Sequence, residues 1–102
     1  MMKSREELQM LLEELLGSRN VYFQPPESKK LHYPCIVYER SYIKTTKADN
    51  INFFMDNQYT ITVMDKDPES EVIPKLMSLQ YCRFDRHFVS DNLNHDVFSL
   101  YF

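Results

Sequence analysis

The closing stretch RFDRHFVSDNLNHDVFSLYF, Arg83 to Phe102, gathers residue types that do chemistry. His87 and His95 stand among Asp85, Asp91 and Asp96. Imidazole and carboxylate are ligands for zinc and other transition metals, so His87, His95 and either Asp85 or Asp91 form one candidate set. The spacing argues against it. His-x7-His across a hairpin fits no common ligand motif, and the rings meet only if the register sets them opposite. A nucleophilic pair of Cys82 and His87 fares worse, because their odd separation points them to opposite faces of one strand. Ser90 sits in no nucleophile motif. With 15 acidic residues in the chain, choosing two for acid–base work carries no information. The expectation is therefore no enzyme, no metal and no cofactor.

The same residues read more simply as two strands and a turn. Strands are predicted over about 81–89 and 95–102, a C-terminal hairpin joined by Ser90 to Asn94. Asp91, Asn92 and Asn94 suit the turn, since their side chains bond nearby backbone and tolerate left-handed geometry. Alternation puts Cys82, Phe84, Arg86 and Phe88 on one face and Asp85, His87 and Val89 on the other. Arg83 and Arg86 interrupt an aromatic strand, where an unpaired buried charge is costly. Each is expected to pair with a carboxylate in the sheet or across a subunit boundary. His87, Asp91 and His95 join them as candidate contacts to a partner.

The elements before the hairpin follow from periodicity. Ser4 and Glu7 have capping-box spacing, and Leu8, Leu11, Leu12, Leu15 and Leu16 form one apolar stripe closed by Gly17. A helix is predicted over about 5–16. Val21 to Gln24, halted by Pro25 and Pro26, is a brief strand suited to a sheet edge. A longer strand spans about 35–45, and Tyr59, Ile61 and Val63 mark the inward side of another over 57–65. Asp67-Pro68 has the form of a helix start, yet Pro74 disfavours helix at Ile73, so the helix either begins near Ser70 or is kinked. Residues 66–80 are long enough for a crossover, which allows one parallel pair.

Between the two central strands lies TTKADNINFFMDN, residues 45–57, long for a hairpin connection. It reads as a projecting loop, as a segment folded back over a sheet edge, or as an extension of the flanking strands. Ile51, Phe53, Phe54 and Met55 are its apolar candidates for a subunit contact, with Lys44, Lys47 and Asp49 as a charged rim. The resulting order is α-β-β-β-α-β-β in one domain, residues 1–102. It predicts an α+β two-layer sandwich with a mainly antiparallel sheet of four to five strands and two helices on one face.

Composition removes whole classes. Gly17 is the sole glycine, so no Gly-rich loop cradles a phosphate. A net charge of −3 argues against binding nucleic acid through its phosphates. Cys35 and Cys82 lie far apart with no CxxC, which fits two buried thiols in a reducing compartment. The acidic start MMKSREELQMLLEELLG lacks the continuous apolar run of a signal peptide or membrane anchor.

Three stretches carry a resemblance: YERSYIKTTKADN, then YTITVMDKDPES before a helix, then RFDRHFVSDNLNHDVFSLYF. In this order, over about residues 30–102, they resemble small neck and tail-completion proteins of tailed bacteriophages. The likeness is to the tail-terminator and head–tail joining group of phages and prophages of Gram-positive bacteria. It implies a structural virion protein, made in the host cytoplasm, that forms a ring of commonly six subunits at the head-proximal end of the tail. The ring ends tail-tube polymerisation and joins tail to head, so the implied partners are further copies, the tube protein and the head connector. Free subunits of such a protein are either rings or monomers that close only on a tube end. Two other readings stand beside it: a head-completion or stopper protein at the portal, and a small intracellular protein-binding module.

Overall fold

The computed structural model describes the backbone of residues 4–48 and 51–102, and the side chains of 4–41 and 58–102. The elements are α1 (Arg5–Leu16), β1 (Val21–Phe23), β2 (Cys35–Ala48), β3 (Ile51–Asp65), α2 (Val72–Met77), β4 (Cys82–Ser90) and β5 (Leu93–Tyr101). This is the predicted order and the predicted α+β class. The five strands form one sheet in the order β1-β2-β3-β5-β4.

The first helix forms as its sequence dictates. The Ser4 hydroxyl accepts from the Glu7 backbone N–H at 3.2 Å, satisfying one orphan donor. Gly17 adopts φ 79° and its N–H bonds to the Glu13 carbonyl. Leu8 and Leu12 are fully buried, and Leu11, Leu15 and Leu16 pack around them.

α2 takes the later start, near Ser70, and not the one at Asp67-Pro68. Those residues form turns instead: the Asp65 carboxylate accepts from the Asp67 N–H, and Asp67 accepts from the Glu69 N–H. The helix begins at Val72, where the Ser70 hydroxyl accepts from the Val72 N–H. Pro74 is then the third helical residue, where its missing N–H would have had no partner in the helix.

Both helices cover one face. Their side chains meet Ile36 and Tyr38 of β2, Tyr59, Ile61 and Val63 of β3, and Phe98 and Leu100 of β5 in one core. Alternation along β3 is as predicted. The parallel pair is not formed across residues 66–80; it is β1 with β2, in register Val21↔Ile36 to Phe23↔Tyr38. β5 inserts between β3 and β4, so the strands flanking α2 are not neighbours.

Two departures from regularity shape the surface. The first is the extension of the flanking strands over 45–57, which takes the place of a loop. β2 and β3 continue as paired strands to Ala48↔Ile51. β1 stops at Phe23, opposite Tyr38, and β5 stops at Tyr101, opposite Gln58. Beyond Tyr42↔Gln58 the two strands pair only with each other among the described residues, a ribbon roughly 20 Å long at the usual strand rise. The radius of gyration is accordingly 14.7 Å, against about 13 Å for a compact chain of this size. Register shifts leave Ser41 unpaired at the ribbon's base and Phe53 unpaired further out.

The second departure lies in β4. Phe84 stands opposite Phe98, but Arg86 stands opposite Val97, leaving Asp85 as an extra residue. This bulge breaks the predicted alternation. Phe84 faces the helix side, while Arg86 and Phe88 face the open side.

Candidate functional site

The closing hairpin turns on two residues. Asp91 and Asn92 have φ of 53° and 62°, and Ser90 pairs with Leu93. Two successive left-handed residues make the hairpin turn whose twist matches its strands. The turn is therefore tighter than the predicted 90–94 span, and Asp91 is held there by backbone geometry.

Register then separates the chemistry-bearing side chains. His87 stands opposite Asp96 on the helix-bearing face, and His95 stands opposite Phe88 on the open face. The two imidazoles are thus on opposite sides of the hairpin, and the candidate ligand set is not assembled. Among the described residues no group of three or more His, Cys, Asp or Glu is placed to hold a metal.

Each ring has a local task. His87 Nε2 lies 3.1 Å from Asn94 Oδ1, so Nε2 is the donor in this contact. Asn94 in turn donates to the carbonyls of Asp65 and Lys66, fastening the turn that leads to α2. His95 Nδ1 donates to the Leu93 carbonyl, and its ring stacks on Phe88 at 4.6 Å between centroids. Asp96, between them, is 6% exposed. Burial raises its carboxyl above the ordinary range, and His87 and His95 pull it partly back down.

The two arginines resolve differently. Arg83 Nε lies 3.3 Å from Asp85 Oδ1, an exposed ion pair within the strand. The other Asp85 oxygen accepts from the Ser99 hydroxyl of β5. The bulge therefore turns Asp85 back onto its own sheet. Arg86 makes no ion pair among the described residues; its guanidinium lies 5.7 Å from the Phe88 ring centre. Arg86, Phe88 and His95 form a stack across the open face.

β4 is the outermost strand, and every residue from Arg83 to Ser90 is exposed. Phe84 and Phe88 are each 40% exposed and Val89 is 61% exposed. This edge was hidden from sequence reading, because alternation alone does not say which strand is outermost. The Asp85–Ser99 contact was hidden too, since it joins residues 14 apart across a bulge.

The ribbon holds the remaining candidates. Lys44 and Lys47 lie on β2, and Ile51, Phe53, Phe54 and Met55 on β3. Their side chains, and Asp49 entirely, lie outside the described residues.

Neither thiol is disposed to react. Cys35 is fully buried and its thiol is pushed up to about 11, chiefly by burial. Burial also raises the half-buried Cys82. Among the described residues no helix is long and apolar enough to cross a membrane. Comparison with protein families, with curated proteins and with solved structures finds no match to this chain.

Proposed function

We propose that this chain is a structural subunit of a tailed-phage neck or tail, of the tail-terminator kind. It works by contact with copies of itself, with the tube protein and with the head connector, and it catalyses no reaction. One observation carries the reading beyond the resemblance. β2 and β3 run past both neighbouring strands as a two-stranded ribbon. Among the described residues such a ribbon has no neighbouring strand on either side, and it extends past the two-layer body. A closed ring needs such heterologous contacts, in which one patch meets a different patch on the next copy. Ile51, Phe53, Phe54 and Met55 supply the ribbon with apolar residues suited to burial on a neighbour.

The test is native mass over a range of concentrations, followed by addition to polymerising tube protein. The expected outcome is a ring of about six copies, free or on tube ends, and shorter tubes. A variant carrying Phe53→Asp and Phe54→Asp is expected to keep the fold and lose both effects. A wild-type chain that neither forms rings nor limits tube length would overturn the proposal.

A further inference from the structure

The outer edge of β4 is a second surface, independent of the ribbon and of the assembly reading. We infer that β4 pairs antiparallel with β4 of a second copy, about a twofold axis passing through His87, to make a continuous ten-stranded sheet.

The backbone motivates the contact. An outermost strand presents unpaired N–H and C=O groups along its free side, a template for another strand. Natural edges are usually blunted by lysine, proline, a bulge, or a covering loop. β4 contains neither lysine nor proline. Its bulge and its one carboxylate are engaged inward, with Asp85 held by Ser99 and Arg83. From Arg86 to Ser90 the strand is regular.

The occupant follows from symmetry. A twofold axis perpendicular to the sheet keeps each face on its own side, so only residues of the same face can stand opposite. Phe84, His87 and Val89 share the helix-bearing side, and Arg83, Arg86 and Phe88 the open side. With the axis at His87, Phe84 meets Val89, Arg86 meets Phe88, and Arg83 meets Ser90, each twice. The exposed aromatic and aliphatic groups cover one another, and each Arg86 gains a second aromatic face besides the Phe88 of its own strand. No two arginines are opposed. An axis at the bulge would instead face Asp85–Arg86 against itself and set two irregular segments together. An axis at Phe88 would leave Phe84 without a partner.

Size sets the strength. About eight residues a side is well below the twenty to thirty of a standard interface, so the pair should form at roughly micromolar concentration or above.

Two experiments decide the matter. Sedimentation velocity of the full chain should show a concentration-dependent dimer, and Val89→Lys, at an exposed position, should weaken it at least tenfold while far-UV circular dichroism is unchanged. Separately, His87→Cys in a Cys82→Ser background should give covalent dimers under mild oxidation, because only a residue on the axis meets its own copy. Glu14→Cys in the same background should not. A monomer at every concentration overturns the inference. So does a dimer indifferent to Val89→Lys, or one in which the His87→Cys variant cross-links no faster than the Glu14→Cys variant; either would assign the contact to another surface.

Discussion

The Tyr38 hydroxyl donates to Gln9 Oε1 at 2.6 Å and so fastens α1 to the middle of β2. Arg5 donates to the same hydroxyl and lies over the Phe23 ring. Gln9 Nε2 completes the set by donating to the Val21 carbonyl of β1 and to Glu13. Three elements are thus joined through Tyr38 and Gln9. Tyr38→Phe keeps the ring packing and leaves Gln9 Oε1 without its donor. It should lower stability by about 1–2 kcal/mol, the cost of a lost buried hydrogen bond. Urea unfolding measures this, and a double-mutant cycle with Gln9→Ala should show coupling between the two positions.

Asp96 gives the fold a pH dependence of definite sign. Its carboxyl is raised in the folded chain, chiefly by burial. The folded state therefore holds the proton to higher pH than the unfolded state does. Over that window, which opens at the ordinary carboxylate value of the unfolded chain and closes at the raised folded value, stability falls as pH rises. Asp96→Asn removes this loss. Its stability relative to wild type should be greater at pH 7 than at pH 4, as read from urea midpoints at the two values. An equal difference at both values would exclude the raised carboxyl as the cause.

Cys35 and Cys82 should be inert in the folded chain. Thiolate is the reactive form, and burial raises both thiols while Cys35 is also fully enclosed. Iodoacetamide at pH 8 should label neither at the rate of a free thiol, and Cys82, which is partly exposed, should react before Cys35. Labelling of both at the free rate in urea provides the reference.

The parts legible in the sequence are those whose pattern is created by the core. The α1 stripe and its caps, and Tyr59, Ile61 and Val63 of β3, announce themselves because burial on one side forces periodicity. Residues 45–57 read as a loop for the opposite reason. No neighbouring strand flanks the ribbon among the described residues, and its sequence, with Lys44, Lys47, Asn52 and Asp56, carries no regular apolar alternation, although no glycine or proline interrupts it. Asp67-Pro68 carries the local signals of a helix start, yet the hydroxyl of Ser70, buried in the tertiary fold, caps a helix that starts four residues later, at Val72. The bulge at Asp85 is likewise chosen from outside its strand, by Ser99 and by the register of β5. The metal reading of His87 and His95 fails on that same register, which no spacing rule contains.

The hairpin turn offers the most local test of how β4 is presented. Asp91 and Asn92 both occupy left-handed geometry, which costs most side chains about 1–2 kcal/mol per residue and asparagine or glycine less. Asn92→Gly should therefore leave the turn intact and stabilise it by a few tenths of a kcal/mol or more, since Asp-Gly is a preferred pair for this turn. Asn92→Val adds a branched side chain where φ is 62° and should destabilise by roughly 1–2 kcal/mol. Because Ser90↔Leu93 is the first pair after the turn, the damage should appear first at Val89 and Ser90. Amide exchange along β4 and β5 measures it. Faster exchange confined to the turn end, with Cys82 and Leu100 still protected, is the expected result. Uniform loss along both strands would mean that the turn, rather than the clasp of Asp85 on Ser99, holds β4 to the sheet.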